Sequence, residues 1–455
     1  MTPGPVTVPD VAPPGPWSFP LPVSWQEDNG LTVHHYRIPG QHVLACRLGL
    51  PVPLSAEPED REGVALLLTR CLDEGTTRRS AEDLAEELER RGIALGAGAG
   101  ERGIVASLDV VGHHLGDALA LLTECLAEAS YPEPEVARQV RTRLADIAHE
   151  LADPAGRAAR EFQRTYFHPA DRASRPAGGS RETVAAVTPA AVRDFHAQVV
   201  HPRGAVLVVA GDLPAEEVRD LVGTTLGRWQ APAGAAERPQ PDPGRRAEDA
   251  ARIVVVDRPD SVQAQLHLGA PGPGRDHPLG WGTFQVLSFA LGGSPTARVD
   301  RVLREERGYT YGIRAGFRPR RRGGQFLATG AVRGDAAVPA LEELLSVLEV
   351  EPEELTQEEL RHSADFLART APGRYATADV VADEALGLAM EELPLDFVTR
   401  TVERVRSLEA EDARRAWAAH RPGDWTMVLV GDLTDRVDEL AALGRGPVQV
   451  VPVGQ

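Results

Sequence analysis

The chain is organised around the stretch Gly63-Val64-Ala65-Leu66-Leu67-Leu68-Thr69-Arg70-Cys71-Leu72-Asp73-Glu74-Gly75-Thr76. From Val64 to Leu72 apolar residues occupy nearly every position, so a helix formed here has almost no polar face. Such a helix is stable only where other elements surround it. The stretch therefore predicts a buried helix inside a folded domain.

A second informative stretch is Leu303-Arg304-Glu305-Glu306-Arg307-Gly308-Tyr309-Thr310-Tyr311-Gly312. The pattern predicts a helix that ends near Arg304 and a strand that contains Tyr311, with Gly308 making the tight turn between them. Taken alone, it favours a structural helix followed by a core tyrosine over a functional pair.

The chain repeats itself at long range. Val206–Leu213 is echoed by Thr426–Leu433, 220 residues later, and Glu89–Gly92 is echoed by Glu305–Gly308, 216 residues later. Solenoid repeats have far shorter periods. The spacing therefore predicts two homologous domains.

Each half reads as strands, then helices, then a strand, long helices and a final strand, which favours an α+β fold. We predict two homologous α/β-sandwich domains, each a mostly antiparallel sheet covered by helices on one face. The N-terminal domain would span residues 20–230 and the C-terminal domain residues 251–440. Residues 231–250 are rich in Pro, Gly, Ala and charge, which predicts an exposed linker.

Together these stretches resemble the insulinase (pitrilysin) family of zinc peptidases, the inverzincins, whose metal-binding helix carries His-x-x-Glu-His. Members typically read Gly-Val-Ala-His-Phe-Leu-Glu-His-x-x-x-x-Gly-Thr where this chain reads Gly63 to Thr76. The resemblance spans residues 20 to 440 and implies domains used in pairs that close like a clam around a peptide. One such chain would form a clam-like half-chamber.

On that pattern Leu66 replaces the first histidine, Thr69 the catalytic glutamate and Arg70 the second histidine. Leu66 has no donor atom, Thr69 is no general base near neutral pH, and the guanidinium of Arg70 would repel a metal. The family's third ligand, a glutamate on a later helix, corresponds to Asp146. We expect a degenerate site that binds no metal, in which Arg70 and Asp146 form an ion pair.

Two further observations argue against metal-dependent cleavage by this half. The family's Asn-Ala pair on an edge strand falls in residues 95–100, where glycine replaces the asparagine and weakens a strand that would otherwise add a peptide. The remaining histidines include the adjacent pairs His34-His35 and His113-His114, but adjacent residues on one element do not face the same way, and His149-Glu150 lacks a second histidine four residues later. They favour surface or hydrogen-bonded histidines over a second metal site.

Family members also supply an Arg and a Tyr, seven residues apart, that reach the peptide across the cavity; here they are Arg304 and Tyr311. A guanidinium and a phenol can donate hydrogen bonds to the negative charge that develops on a scissile carbonyl. The family includes bacterial heterodimers and the mitochondrial processing peptidase, in which only one subunit holds zinc. The resemblance thus implies a zinc-free chain with catalytic Arg304 and Tyr311 beside a homologous zinc-binding partner.

An arginine-rich turn follows Tyr311, with Arg318, Arg320, Arg321 and Arg322 within five residues. The simpler interpretation is a solvated hairpin tip. The alternative is a docking patch for an acidic peptide or for the partner chain.

Composition excludes several classes. The 455 residues carry a formal net charge of -18, which argues against nucleic-acid binding, and all 49 basic residues are Arg. The three cysteines lie in apolar runs and predict buried thiols in a reducing compartment. Neither a signal peptide nor an 18-residue apolar run is visible, so we expect a cytoplasmic protein without membrane contact.

The sequence thus favours a non-catalytic subunit of a heterodimeric metallopeptidase that cleaves unfolded peptides, with leader peptides of ribosomally made natural products as one substrate class. This chain would need no cofactor, and zinc is expected in the partner. The alternative is a structural or binding scaffold of the same fold with no role in proteolysis. An enzyme with an unrelated site ranks lowest, because neither Gly-x-Ser-x-Gly nor a phosphate-binding loop is present.

Overall fold

A computed structural model describes residues 11–232, 239, 244–320 and 323–452. The first half contributes a sheet and the helices around it. Its strands are β1 (Val23–Gln26), β2 (Thr32–Arg37), β3 (Val43–Leu50), β4 (Ala94–Gly100), β5 (Gly103–Val111) and β6 (Val206–Gly211). Its helices are α1 (Val64–Arg70), α2 (Ala81–Arg90), α3 (Leu115–Glu128), α4 (Glu133–Ala152), α5 (Pro154–Tyr166), α6 (Arg181–Ala185), α7 (Pro189–Val199) and α8 (Ala215–Thr224).

The second half repeats this plan. Its strands are β7 (Arg252–Asp257), β8 (Gln263–Gly272), β9 (Thr310–Pro319), β10 (Gly324–Arg333), β11 (Thr426–Gly431) and β12 (Val448–Val451). Its helices are α9 (Trp281–Ser288), α10 (Ala337–Leu348), α11 (Gln357–Arg374), α12 (Ala378–Met390), α13 (Phe397–Arg406), α14 (Ala410–His420) and α15 (Val437–Ala442). Two π-helical segments, Phe289–Gly293 and Asp300–Glu306, lie between α9 and β9.

The two six-stranded sheets of the described residues share one topology. Their strand orders are β1-β2-β6-β3-β5-β4 and β12-β7-β11-β8-β10-β9. In both, one central parallel pair is followed by three antiparallel pairs that end on an edge strand, β4 or β9. The halves differ at the other edge, where β1 pairs antiparallel with β2 but β12 pairs parallel with β7. The two homologous domains predicted from the repeat are therefore confirmed.

Local signals explain several element ends. Ser80 begins α2 with a capping box in which its hydroxyl accepts from the backbone N–H of Asp83. Helix α4 ends before Pro154, which cannot continue it, and the carboxylate of Asp153 then accepts from the N–H of Gly156 at 2.7 Å to begin α5.

The sequence placed helices on one face of each sheet, and the structure adds a helix from the opposite half on the other face. Helix α12 of the second half packs on β3 and β6 of the first sheet. Its buried residues Val381 and Ala385 share one apolar cluster with Tyr36 and Val208 of that sheet. The first sheet is therefore completed by a segment that lies far along the chain.

The exchange is reciprocal. Helix α5 of the first half packs on β8 and β11 of the second sheet, where Phe162 shares a buried cluster with Val428 and Val430. The ring of Phe162 stacks on the imidazole of His267 at 4.5 Å between centroids. Each sheet is thus covered on one face by helices of its own half and on the other face by a helix of the opposite half.

Ion pairs reinforce this shared interface. The guanidinium of Arg47 on β3, with a side chain only 7% exposed, lies 2.6 Å from Asp383 of α12 and 2.8 Å from Asp109 of β5. Glu391, after α12, lies 2.8 Å from Arg102 in the β4–β5 turn. Charged contacts of this kind fix how two surfaces register more than they stabilise them.

Part of the predicted linker is packed against the first half. Arg245 forms an ion pair with Asp171 at 2.7 Å, and Ala247 and Ala250 are buried. Residues 233–238 and 240–243 of the predicted linker lie outside the described part of the chain. The described end of this segment is therefore held by these contacts, while Arg245, Glu248 and Asp249 remain exposed as predicted for a linker.

Within the described ranges, none of the helices combines the length and apolarity needed to cross a lipid bilayer.

Lowering the pH from about 6.5 to about 4 is expected to lower the free energy of unfolding, because two partly buried histidines are neutral in the folded chain. Burial lowers the pKa of His267 to about 4 and that of His196 to about 4. The unfolded chain protonates both near pH 6.5, so each contributes up to about 3 kcal/mol, complete above that pH and lost toward pH 4. Urea unfolding at a series of pH values measures this slope.

His267→Gln should make that slope shallower, because one of the two groups no longer titrates. His149, which is exposed, provides the matched control, and His149→Gln should leave the slope as it is. An unchanged slope in His267→Gln would show that this imidazole does not couple folding to pH.

Candidate functional site

Helix α1, which carries the degenerate motif, is fixed at its N-terminus by a buried carboxylate. Glu57, whose side chain is 0% exposed, accepts hydrogen bonds from the backbone N–H groups of Gly63 and Ala65 at 3.0 Å each. Its other oxygen lies 2.8 Å from the guanidinium of Arg172. Burial raises the pKa of Glu57, while Arg172 and the backbone donors oppose that shift. An anion here satisfies helix N–H groups that have no partner within the helix.

A glycine is required where this helix begins. Gly63 has φ = 96°, a left-handed conformation that side chains disfavour, and a Cβ there would lie 2.8 Å from the carbonyl oxygen of Gly178. Most residues of the helix that follows are buried, as its apolar sequence predicted.

The structure brings the four predicted remnants of the metal site together on α1 and α4. Arg70 and Asp146 form the expected ion pair, with Nη2 and Oδ2 2.8 Å apart and side chains 28% and 38% exposed. The hydroxyl of Thr69 donates to the carbonyl oxygen of Leu66 at 2.9 Å. The only charges at these positions therefore neutralise each other, and the threonine hydroxyl is used by the helix backbone.

These residues do not fit a zinc ion. The position of one ligand is aliphatic, and a permanently cationic guanidinium occupies that of another. Across the described ranges, no three His, Cys, Asp or Glu side chains are grouped so that they could hold a metal. Leu66, Thr69, Arg70 and Asp146 therefore provide neither a zinc site nor the general base of a zinc peptidase.

The edge strand of the first sheet is formed despite its glycines. Strand β4 pairs with β5 in continuous register from Ala94 to Gly100. A Cβ at Gly98 or Gly100 would meet nothing within 4 Å, so this edge presents backbone with few side chains. Whether a peptide adds to it stays a prediction.

The second half presents Arg304 and Tyr311 at its own edge strand. Arg304 lies in the π-helical segment Asp300–Glu306, with a side chain 45% exposed and its Nε 3.4 Å from Glu305. Gly308, at φ = 63°, makes the predicted turn into β9. Tyr311 follows on β9 and is 91% exposed, which argues against the core tyrosine of the alternative interpretation.

The predicted arginine patch is divided by the structure. Arg318 is exposed on β9, whereas Arg320 pairs with Glu101 of the β4–β5 turn at 2.9 Å and lies over the ring of Phe167. Arg320 therefore joins the tips of the two edge hairpins within the chain. Arg321 and Arg322 lie outside the described residues.

Sequence reasoning missed three residues that shape these sites: Glu57, Asp300 and Thr310. Glu57 lies six residues before Gly63, outside the spacing of any N-cap signature. Thr310 had a detectable signal, because the 216-residue repeat aligns it with Ala94 and so marks a hydroxyl found in one half only.

Two protein-family models match the chain. The model described as Insulinase (Peptidase family M16) matches residues 39–165, and the model described as Peptidase M16 inactive domain matches residues 186–365.

Individual relatives agree with these matches. An uncharacterized zinc protease of Mycobacterium tuberculosis is 28% identical over 290 residues, or 62% of this chain and 64% of that relative, slightly less than two thirds of its length. A non-peptidase homolog of Helicobacter pylori is 22% identical over 382 residues, which cover 83% of this chain and 86% of that protein. The solved peptidase M16 inactive domain from Pseudomonas fluorescens has a TM-score of 0.80 at 24% identity, covering 90% and 98% of the two chains.

Proposed function

This chain belongs to the insulinase family, peptidase family M16, and on that premise we propose that it is the zinc-free subunit of a heterodimeric metallopeptidase that cleaves unfolded peptides. A homologous partner with an intact His-x-x-Glu-His helix would hold the zinc and the general base. This chain would contribute Arg304 and Tyr311 to the peptide enclosed between the two half-chambers. The observation that carries the proposal is that the Tyr311 side chain is exposed on an edge strand of the second half, while the first half lacks the family's metal ligands.

The chemistry suits these two side chains. When water attacks a peptide carbonyl, negative charge grows on the oxygen, and donors already in place stabilise that charge more than they stabilise the substrate. The phenol O–H of Tyr311 and the guanidinium of Arg304 are such donors. The backbone N–H groups of Ile313 and Phe317 on the outer edge of β9 already donate to side chains of the same half, so the two donor side chains rather than an added strand would contact the peptide.

The charge of the β9 edge favours acidic substrates. Arg318 is exposed on β9, where its guanidinium would attract an acidic peptide, whereas Arg314 on the same strand is already paired with Asp300 at 3.1 Å. Leader peptides of ribosomally made natural products are one candidate class with this character. The same charge could instead serve the partner chain.

Co-purification tests the proposal directly. The tagged chain is co-expressed with each His-x-x-Glu-His homologue of its own genome, and the purified material is analysed by elemental mass spectrometry. We expect essentially no zinc in the chain alone and about one zinc in a stable pair, since one subunit supplies all ligands. One zinc per isolated chain, or no pair with any homologue, would contradict the proposal.

A structural scaffold is the second candidate. It is favoured by the relative described as a non-peptidase homolog and by the proximity of Arg304 to Glu305 within its own segment. The two candidates differ in what Tyr311 does once the pair has formed.

A further inference from the structure

Strand β9 contains a β-bulge at Tyr311. Ile313 pairs with Gly330 and Thr310 with Val332, so Tyr311 and Gly312 together lie opposite the single residue Ala331. One extra residue shifts the in-and-out alternation of a strand by one position. Ile313, Ala315 and Phe317 belong to the buried core, and regular alternation would direct Tyr311 to that same face. The bulge instead leaves Tyr311 91% exposed.

The side chain of Thr310 spans this bulge. Its hydroxyl donates to the carbonyl oxygen of Ala331 at 2.6 Å and accepts from the backbone N–H of Gly312 at 2.9 Å. These bonds tie together the residue before the bulge, a bulge residue and the residue opposite. A hydroxyl at this position therefore replaces ladder hydrogen bonds that a bulge removes.

Asp300 holds the strand just beyond the bulge. Its side chain is 1% exposed; one oxygen accepts from the backbone N–H of Ile313 at 3.3 Å, and the other lies 3.1 Å from the guanidinium of Arg314. Asp300 belongs to the segment that carries Arg304. It therefore couples the positions of the Arg304 segment and the Tyr311 strand.

The other half of the chain provides an internal comparison. The 216-residue repeat aligns Thr310 with Ala94 and Tyr311 with Leu95. Where the hydroxyl is missing, β4 pairs with β5 without any register shift. The hydroxyl, the bulge and the exposed tyrosine thus occur together in one of two homologous edge strands.

We propose that Thr310 is a positioning residue: it holds the β9 bulge and so directs the Tyr311 phenol away from the core and toward the substrate. Asp300 supports the same strand. Thr310 itself touches no substrate. That the phenol is directed toward a substrate rests on the proposed function. That Thr310 holds the bulge and exposes Tyr311 can be tested without a partner subunit.

The structural part is tested on the isolated chain. The six tyrosines are labelled as 3-fluorotyrosine, and the fluorine resonance of Tyr311 is identified by its loss in Tyr311→Phe. Its relaxation by a soluble gadolinium chelate reports exposure of the ring. Thr310→Ser keeps the hydroxyl and should retain the full relaxation effect, whereas Thr310→Val, of equal size, should lose most of it.

A second variant disturbs the bulge from the opposite strand. A Cβ at Gly330 would lie 2.7 Å from the carbonyl oxygen of Gly312, so Gly330→Ala should displace the bulge and shift the same resonance. If Thr310→Val and Gly330→Ala both leave the Tyr311 signal as in the unmodified chain, the positioning role is overturned.

The functional part uses the assembled pair and an unstructured fluorogenic peptide. Thr310→Val should lower kcat between about tenfold and a hundredfold with little change in KM, and Thr310→Ser should restore it. In the Tyr311→Phe background, Thr310→Val should cause no further loss, because both changes act through one phenol. Additive losses would overturn the inference. If Tyr311→Phe itself leaves kcat unchanged, the proposed function is contradicted instead. The fluorine measurement would then still decide whether Thr310 holds the bulge.

Discussion

Tyr311→Phe is expected to lower kcat of the assembled pair by about a hundredfold while its affinity for the zinc-binding partner stays the same. The change removes one hydroxyl from a side chain that is 91% exposed, so it costs this chain little or no stability. Removing one donor to a transition-state oxyanion typically costs about two to three orders of magnitude in kcat. Steady-state cleavage of an unstructured peptide, with partner affinity measured by calorimetry, checks both halves of the expectation.

Tyr309→Phe is the matched control. It deletes a phenol hydroxyl two residues earlier in the chain, from a ring that packs partly buried against the hydrophobic core of the second half. We expect this variant to retain the kcat of the unmodified pair. Equal kcat for Tyr311→Phe and Tyr309→Phe would favour the scaffold over the peptidase subunit.

Glu57→Ala is expected to lower the free energy of unfolding by about 3 kcal/mol, because it removes one member of a buried ion pair. Arg172, only 9% exposed, would lose its contact with Glu57 and keep Glu62 at 3.2 Å as its remaining carboxylate. The N–H groups of Gly63 and Ala65 would lose their acceptor at the same time. Urea unfolding followed by circular dichroism measures the change.

Two further variants test whether the loss of stability comes from the contacts of the Glu57 carboxylate. Glu59→Ala removes a carboxylate from an exposed site two residues away and should cost less than about 0.5 kcal/mol. Glu57→Gln retains an oxygen for the helix N–H groups and should fall between the two. A Glu57→Ala variant as stable as Glu59→Ala would mean that α1 does not depend on this cap.

Signals confined to a short stretch of sequence were predictive. The buried helix that begins at Val64, the turn at Gly308 and the strand that contains Tyr311 were each predicted from a short stretch, and the structure confirms them. The pairing of Arg70 with Asp146 also followed, because the family pattern brought two distant positions to one site.

Features that depend on tertiary context were not predicted. The apolar stripe of α5 or α12 indicates that the helix is buried, but not which sheet it covers, and both cover the sheet of the opposite half. The four-residue strands β1 and β12 are too short to show alternation. The bulge beside Tyr311 depends on Gly330 and Ala331, which belong to a different strand.

The exchange of α5 and α12 has a consequence for biosynthesis. When β6 leaves the ribosome, the face of the first sheet that contains Tyr36 and Val208 still lacks α12. Roughly 170 residues remain to be translated before α12 begins, which takes on the order of 10 to 30 s at about 5 to 20 residues per second. During that interval the nascent chain carries an uncovered apolar surface, so newly made first halves are exposed to aggregation and to chaperones until the second half arrives.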